Sequence, residues 1–189
     1  RASKMGWLTF KFSLCKKFES LFSGKLETIK MMQQQENLKF LSHFHRKFII
    51  HKGKRGKKNR NVEFFHIRTN GNPICTRCIE VKPDASLLNS NFCYILIVHF
   101  NSESNLGIKY VWIGEKSSLD ESRLAEDIAV ELHQDFPVQV LYEGEEPENF
   151  FWLGLGGQKD YERNENFNEL RLFRCSNEKG YFAISEKCQ

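Results

Sequence analysis

The apolar positions of this chain follow two long helical patterns and several strand patterns. Apolar residues recur at near-helical spacing over residues 3–22, and Gly24 is placed to end that helix. A Ser-x-x-Glu capping box at 118–121 opens the second pattern, which predicts a longer helix with one apolar stripe over residues 118–134. Two shorter amphipathic segments predict helices over residues 36–44 and 147–153.

Runs rich in β-branched and aromatic residues predict the strands. The run 92–98 is apolar throughout, as in a central strand that is buried on both faces. Helices lie between only some of the strands, so we expect an α/β (α+β) fold, with a mixed sheet of five or six strands between a long and a short helix. The predicted strands are residues 25–32, 48–50, 64–69, 74–82, 92–98, 108–113 and 137–142, followed by a hairpin over 170–185.

Elements of the chain recur at a spacing of ~110 residues, which is the size of one small domain. The sequence at 64–70 is echoed at 172–177, and the early order of helix, strand and short helix returns at 118–161. The segment 53–61 has no apolar residue and therefore cannot contribute to a core. We expect three parts: the C-terminal part of one repeat with a basic linker (1–61), a complete repeat (62–169) and the N-terminal hairpin of the next (170–189).

The composition favours a folded domain without an enzyme site. Apolar residues make up 40% of the chain, and no run approaches the ~18 apolar residues of a transmembrane helix. The six cysteines are dispersed, as is typical of reduced intracellular thiols, and the single Cys-x-x-Cys at 75–78 lacks a second pair of metal ligands. We find no nucleophile–base pair, phosphate loop or paired carboxylates, so we expect no enzymatic activity.

Charge is distributed unevenly along the chain. Residues 1–62 carry 16 basic and 3 acidic side chains, whereas the remainder carries 12 and 21. A flexible basic segment binds acidic surfaces, so phosphoinositide headgroups and acidic proteins are the first candidate partners. A solvated linker, a nuclear-import signal and a nucleic-acid contact are the alternatives, although no aromatic platform for base stacking flanks the segment. The candidate residues are Lys52, Lys54, Arg55, Lys57, Lys58 and Arg60.

Several blocks of sequence resemble repeats of the gelsolin/villin superfamily. These blocks are residues 70–80, LLNSNFCYIL at 87–96, EGEEPENFFW at 143–152 and RLFRCSN at 171–177. The resemblance runs over essentially the whole chain, and the blocks follow one another in the order of the family. It places residues 1–61 at the end of a fourth repeat, 62–169 as a fifth and 170–189 at the start of a sixth.

The resemblance implies actin binding and no catalysis. It implies a cytoskeletal protein of the cytoplasm, with the nucleus as a further location, that binds, caps or severs filaments under control of calcium and phosphoinositides. The alternative is a protein-interaction scaffold for signalling or nuclear-receptor coactivator partners with little direct actin contact. By family analogy the actin-facing surface is the outer face of helix 118–134, for which a solvated helix face is the other interpretation. The residues of that face are Asp120, Arg123, Asp127 and Glu131.

The resemblance also implies a calcium site, and here the sequence departs from the family. The family holds the ion with a backbone carbonyl, matched by Asn91, with an Asp at the next position, and with a helical Glu, matched by Glu121. Phe92 stands at the Asp position, and a phenyl ring supplies none of the oxygens that calcium requires. Met5 stands at the matching Glu position of the first part. We therefore expect no certain cofactor, and weak or absent calcium binding.

Overall fold

The computed structural model describes residues 4–27, 29, 31, 36–53, 61–69, 72–101, 106–161, 172–177 and 180–187. The chain divides into two compact units. One is Asn37–Arg171, and the other combines Arg1–Glu36 with Leu172–Gln189. No helix among the described residues is long and apolar enough to cross a membrane.

The described residues form four α-helices and eight β-strands. The helices are α1 (Lys4–Leu21), α2 (Leu38–Ser42), α3 (Leu119–Glu131) and α4 (Phe150–Gly154). The strands are β1 (Phe48–Ile50), β2 (Val62–Arg68), β3 (Arg77–Val81), β4 (Cys93–Asn101), β5 (Leu106–Ile113), β6 (Val138–Tyr142), β7 (Leu172–Ser176) and β8 (Ala183–Lys187).

Six strands of the larger unit form one mixed sheet in the order β1-β3-β2-β4-β5-β6. The four central strands pair antiparallel, whereas β1 joins β3 and β6 joins β5 in parallel. The long helix α3 packs on one face of this sheet and the short helix α4 on the other. The expected mixed sheet between a long and a short helix is therefore confirmed.

Each face of the sheet has its own core, because side chains alternate between the two faces along every strand. Alternate residues of β4 show this clearly: Ile95 and Ile97 pack towards α3, whereas Tyr94 and Leu96 pack towards α4. The α3 core is mainly aliphatic, with Leu124 and Ile128 as its main helical contribution and Phe65 and Phe136 as its aromatic members. The α4 core is aromatic; its large rings are Phe64, Tyr94, Tyr110, Trp112, Phe151 and Trp152.

Local capping sets where the helices begin. The Ser118 hydroxyl accepts a hydrogen bond from the Glu121 amide (3.1 Å), as the capping box predicts for α3. The short helix α4 begins later than its sequence suggested, at Phe150 rather than at Pro147. The Asn149 side chain accepts from the Phe151 amide (3.0 Å) and so takes the capping role.

The segment before residue 61 contributes to the sheet of the larger unit. Strand β1 pairs in register with β3, and Leu41 of α2 is fully buried. The domain boundary near residue 61 stays a prediction, although β1 shows that residues before it complete the edge of this sheet. The predicted strand at 25–32 is wrong for its described residues, none of which is in a strand.

The smaller unit contains α1 and the hairpin of β7 and β8. Gly24 adopts φ 72° just after α1, which is the left-handed conformation expected of a glycine that ends a helix. The hairpin pairs antiparallel from Leu172–Lys187 to Ser176–Ala183, as predicted. Several large apolar side chains of this region are exposed; they are Phe10, Phe12, Phe18, Leu21 and Phe22.

Candidate functional site

The residues expected at a calcium site belong to one corner of the sheet, where β4 and α3 both begin. The Lys116 amide donates to the Ser90 carbonyl (2.8 Å), which joins the loop before β4 to the loop before α3. The Cys93 thiol lies 3.8 Å from the Ser122 hydroxyl. The first turn of α3, with Glu121, therefore stands beside the start of β4.

Asn91 is held within its own loop at this corner. Its backbone amide and its side-chain Nδ2 both donate to the Asn89 Oδ1, at 2.9 and 3.0 Å. The carbonyls on either side, those of Ser90 and Phe92, accept from Lys116 and Gly114. The turn is thus stabilised by hydrogen bonds within the protein.

Phe92 faces away from α3. Its ring packs with the aromatic core on the α4 face and meets His66 edge-on, with ring centroids 4.6 Å apart. Calcium takes six to eight oxygen ligands, and position 92 offers a hydrocarbon ring where the family has a carboxylate. Of the three family positions, only Asn91 and Glu121 carry side-chain oxygen here. The donor set does not fit calcium, and weak or absent binding stays our prediction.

His66 is an unusual neighbour for that position. It stacks on Tyr94 (4.8 Å, 13°), and its Nε2 atom is buried with no hydrogen-bond partner among the described residues. Burial, aided by the positive charge of Arg68, lowers the pKa of His66 to about 4. The imidazole is therefore neutral at physiological pH.

The outer face of α3 is partly occupied by contacts within the chain. The Arg46 guanidinium binds Asp120 through both terminal nitrogens, at 3.1 and 2.5 Å, and donates from Nε to the Pro73 carbonyl. The Lys47 ammonium binds Glu131 at 2.5 Å. Two of the four predicted actin-facing residues are therefore ion-paired, one at each end of the helix. The sequence does not predict these pairs, because 74 positions separate Arg46 from Asp120 and 84 separate Lys47 from Glu131.

The rest of that face remains exposed. Arg123 and Asp127 are exposed, and beside them lie two exposed apolar side chains, Leu119 (67%) and Val130 (59%). Along the chain these four residues are separated by three or four positions, so they share one side of the helix. The surface combines charged and apolar groups, as binding surfaces commonly do.

Only the beginning of the basic segment is described. The Lys52 amide donates to Glu80 Oε2 (2.6 Å), and His51 Nδ1 lies 3.7 Å from the same oxygen. The Glu80 carboxylate on β3 thus fixes the point where the segment leaves the sheet. The other five predicted residues lie outside the described part of the chain; they are Lys54, Arg55, Lys57, Lys58 and Arg60.

A cluster of two histidines and one glutamate lies at the opposite end of β4. The Glu63 Oε1 is 3.0 Å from the His99 Nε2 and 2.8 Å from the His133 Nε2. Burial acts to raise the pKa of Glu63, but the hydrogen bonds and charges of the two imidazoles outweigh it and hold the pKa below its ordinary value. Sequence reasoning missed this cluster, because its members stand far apart in the chain. The only sequence signal is a polar residue at an inward position of β2 and another of β4.

Comparison with known proteins identifies the repeat. Residues 76–152 match the gelsolin repeat family model. The chain is 61% identical to a flightless-1 homolog of Danio rerio over 99% of its length, and 32% identical to gelsolin of Xenopus laevis over 89% of its length. It spans 15% of that flightless-1 relative and 40% of that gelsolin.

A solved structure of a Thorarchaeota ProGel protein in complex with rabbit actin aligns with 49% of this chain and 97% of its own, at 24% identity and a TM-score of 0.39. By the family model and the sequence alignments, the chain carries a gelsolin repeat at residues 76–152, and over almost its whole length it is similar to a segment of the flightless-1 proteins.

Proposed function

We propose that this chain is an actin-binding, non-enzymatic segment of a cytoskeletal regulator. The observation that supports this is the gelsolin repeat at residues 76–152, together with 61% identity to a flightless-1 homolog along nearly the whole chain. The chain spans 15% of that relative, so filament capping and severing are proposed for the longer protein, in which several repeats act together. The proposed location is the cytoplasmic actin cytoskeleton.

The outer face of α3 is the proposed actin contact. Leu119 and Val130 supply exposed apolar area, and the charges of Arg123 and Asp127 lie on the same side of the helix. Burying exposed apolar surface is the main favourable term in association, and neighbouring charges provide specificity. The exposed ion pairs at Asp120 and Glu131 are weak in water, so an incoming partner can replace them.

Filament co-sedimentation of the 189-residue chain tests this contact. A Leu119→Ser, Val130→Ser double variant removes the apolar part of the face, and we expect its Kd for filaments to rise at least about tenfold. Leu153→Ser is the matched control, because Leu153 is equally exposed (72%) but lies on α4, on the other side of the sheet. Equal binding by the double variant and the wild type would refute the assignment of this face.

The basic segment is the proposed phosphoinositide contact. Lys52 is exposed where the segment leaves the sheet, and five further basic residues follow within eight positions. Each positive charge near an anionic membrane contributes about 1 kcal/mol. A variant with Lys54, Arg55, Lys57 and Lys58 changed to Gln should therefore lose at least tenfold in binding to phosphoinositide liposomes at low salt. Unchanged retention on these liposomes would favour a solvated linker.

A protein-interaction scaffold is the second candidate. Two features favour it: Phe92 removes the family's carboxylate, and Arg46 and Lys47 occupy two residues of the α3 face. Signalling and nuclear-receptor coactivator proteins are the proposed partners in that case. Co-sedimentation separates the two functions, because a scaffold without actin contact stays in the supernatant both as this chain and as the full-length protein.

A further inference from the structure

The Glu63–His99–His133 cluster brings together side chains from three separate elements. Glu63 is in β2, His99 is in β4, and His133 follows α3 by two residues. One ligand-type atom from each lies within 4.8 Å of the other two. The cluster lies in the larger unit, at the end of β4 far from the corner that holds Asn91 and Phe92.

The sheet fixes two of these side chains. Glu63 stands opposite Ile97 in the antiparallel ladder, and His99 follows two residues later on the same face of β4. The His99 amide donates to the Asn61 carbonyl (2.8 Å), which extends the pairing of the two strands up to the cluster. The positions of Glu63 and His99 are therefore set by strand register.

His133 is positioned by the turn that ends α3. It adopts φ 46°, a conformation that non-glycine residues seldom take. The buried Lys109 ammonium donates to the carbonyls of Leu132 (2.8 Å) and His133 (3.0 Å) and so holds this turn against β5. Phe136 stacks on the His133 ring (5.2 Å, 19°) and meets His99 edge-on (5.1 Å, 72°). Packing thus orients both imidazoles towards the carboxylate.

We propose that Glu63, His99 and His133 form a zinc site, with Nε2 of each histidine and one carboxylate oxygen as ligands. Two imidazoles and one carboxylate are a ligand set that zinc accepts, with a water in the fourth position. A tetrahedral ion at ~2.0–2.1 Å from its ligands separates them by ~3.3 Å. The 2.8 and 3.0 Å distances from Glu63 need to open by only a few tenths of an ångström.

The three side chains of the cluster differ in their exposure to solvent. The Glu63 side chain is 10% exposed and that of His99 14%, whereas that of His133 is 32% exposed. An ion can enter past His133 and keep a water ligand there. The Lys109 ammonium opposes a bound cation, but the His133 and Leu132 carbonyls neutralise part of its field. A bound ion would connect β2, β4 and the end of α3.

Direct metal binding to the 189-residue chain tests the site. We expect one equivalent of Zn²⁺, and Co²⁺ in its place should give a ligand-field spectrum without thiolate charge-transfer absorption. That spectrum distinguishes the cluster from adventitious binding at the free cysteines. Added Zn²⁺ should also raise the melting temperature, because an ion that binds only the folded state stabilises it.

Variants connect the bound metal to the cluster. His133→Gln and His99→Gln each keep a hydrogen-bonding group beside Glu63, and each should weaken Zn²⁺ binding at least tenfold and abolish the melting shift. His51→Gln is the matched control: His51 also faces a glutamate, Glu80, but the described residues place no third ligand beside them, so binding should not change. His133→Gln lies at the exposed side, so it retains the fold if His99→Gln does not. The proposal is overturned if Zn²⁺ fails to bind, or if it binds equally to wild type and His133→Gln.

Discussion

Beside the start of strand β4 the buried Nε2 atom of one imidazole has no hydrogen-bond partner among the described residues, whereas near the other end of the strand two imidazoles share one carboxylate oxygen. His66 lies between the rings of Phe92 and Tyr94, and its Nε2 contacts no polar group among the described residues. His99 and His133 both bind Glu63. The corner expected to hold the family's ion is lined by aromatic rings, and the ligand set suited to a metal lies at the opposite end of β4. Histidine thus has an apolar setting beside one end of β4 and an ionic setting at the other.

The largest expected effect is a loss of folding stability at acidic pH, caused by His66 in the aromatic corner beside the start of β4. The pKa of His66 is about 4 in the folded chain and 6.5 in the unfolded chain, so the unfolded state binds more protons as the pH falls below 6.5. Stability is therefore lost between pH 6.5 and 4, by about 3 kcal/mol in total from this residue. Urea unfolding across this range, compared between wild type and His66→Phe, measures it. A variant that loses as much stability as the wild type would show that the imidazole does not carry the effect.

The next prediction compares alanine substitutions at two glycines, one near each end of β4. A Cβ at Gly114 would lie 2.4 Å from the Ser90 carbonyl oxygen, and one at Gly107 would lie 2.3 Å from the Phe136 ring and 2.5 Å from the Val98 carbonyl oxygen. We expect alanine at either site to cost about 1–3 kcal/mol in urea unfolding. Gly114→Ala should be the more costly, because all its close neighbours are backbone atoms.

The same two variants should differ in metal binding. Gly107→Ala displaces Phe136, which stacks on His133, so Zn²⁺ affinity should fall. Gly114→Ala acts at the corner and should leave Zn²⁺ affinity unchanged. Equal loss of affinity in both variants would mean that general destabilisation, rather than the position of the imidazoles, sets metal binding.

These two ends also show how far the sequence could predict the structure. The capping box at Ser118 and the apolar run before His99 predicted the positions of α3 and β4 in the chain closely, because capping and periodicity are local signals. Phe92 could be recognised as a departure from the family because it occupies one aligned position. The Glu63–His99–His133 cluster could not be found, because strand register and a left-handed turn bring its members together. The Arg46–Asp120 pair was missed for the same reason: 74 positions separate its partners.

A smaller effect concerns the ion that the family would bind. We expect the wild type to show no calcium binding in calorimetry at micromolar concentrations, because the side chain at position 92 supplies no oxygen. Phe92→Asp should also leave calcium unbound, because residue 92 faces away from α3 and the new carboxylate would lie on the α4 face of the sheet, apart from Glu121. A rise in calcium affinity in Phe92→Asp that the further change Glu121→Gln abolishes would show that the loop before β4 turns towards α3. Micromolar calcium bound by the wild type through Glu121 would contradict the prediction that this corner has no calcium site.

The smallest effect is expected at the ion pairs that connect the ends of α3 to the segment before β1. The Arg46 pair lies at the corner end of the helix and the Lys47 pair at the cluster end, and all four side chains are partly or largely exposed. Exposed pairs contribute little to stability and are screened by salt. The segment itself is anchored otherwise, by the β1–β3 ladder, by buried Leu41 and by the tilted contact between the rings of Phe44 and Phe48 (4.6 Å).

The Arg46→Ala, Lys47→Ala double variant should therefore unfold at the wild-type urea midpoint, within error, at both low and high salt. Its Zn²⁺ affinity should also be unchanged, because neither side chain bonds to the histidine cluster. A loss as large as that of Gly114→Ala would mean that charge, rather than the ladder and the rings, holds this segment on the sheet. In that case a partner that displaced the two pairs would also release β1, and the α3 face and the sheet edge would respond to binding together.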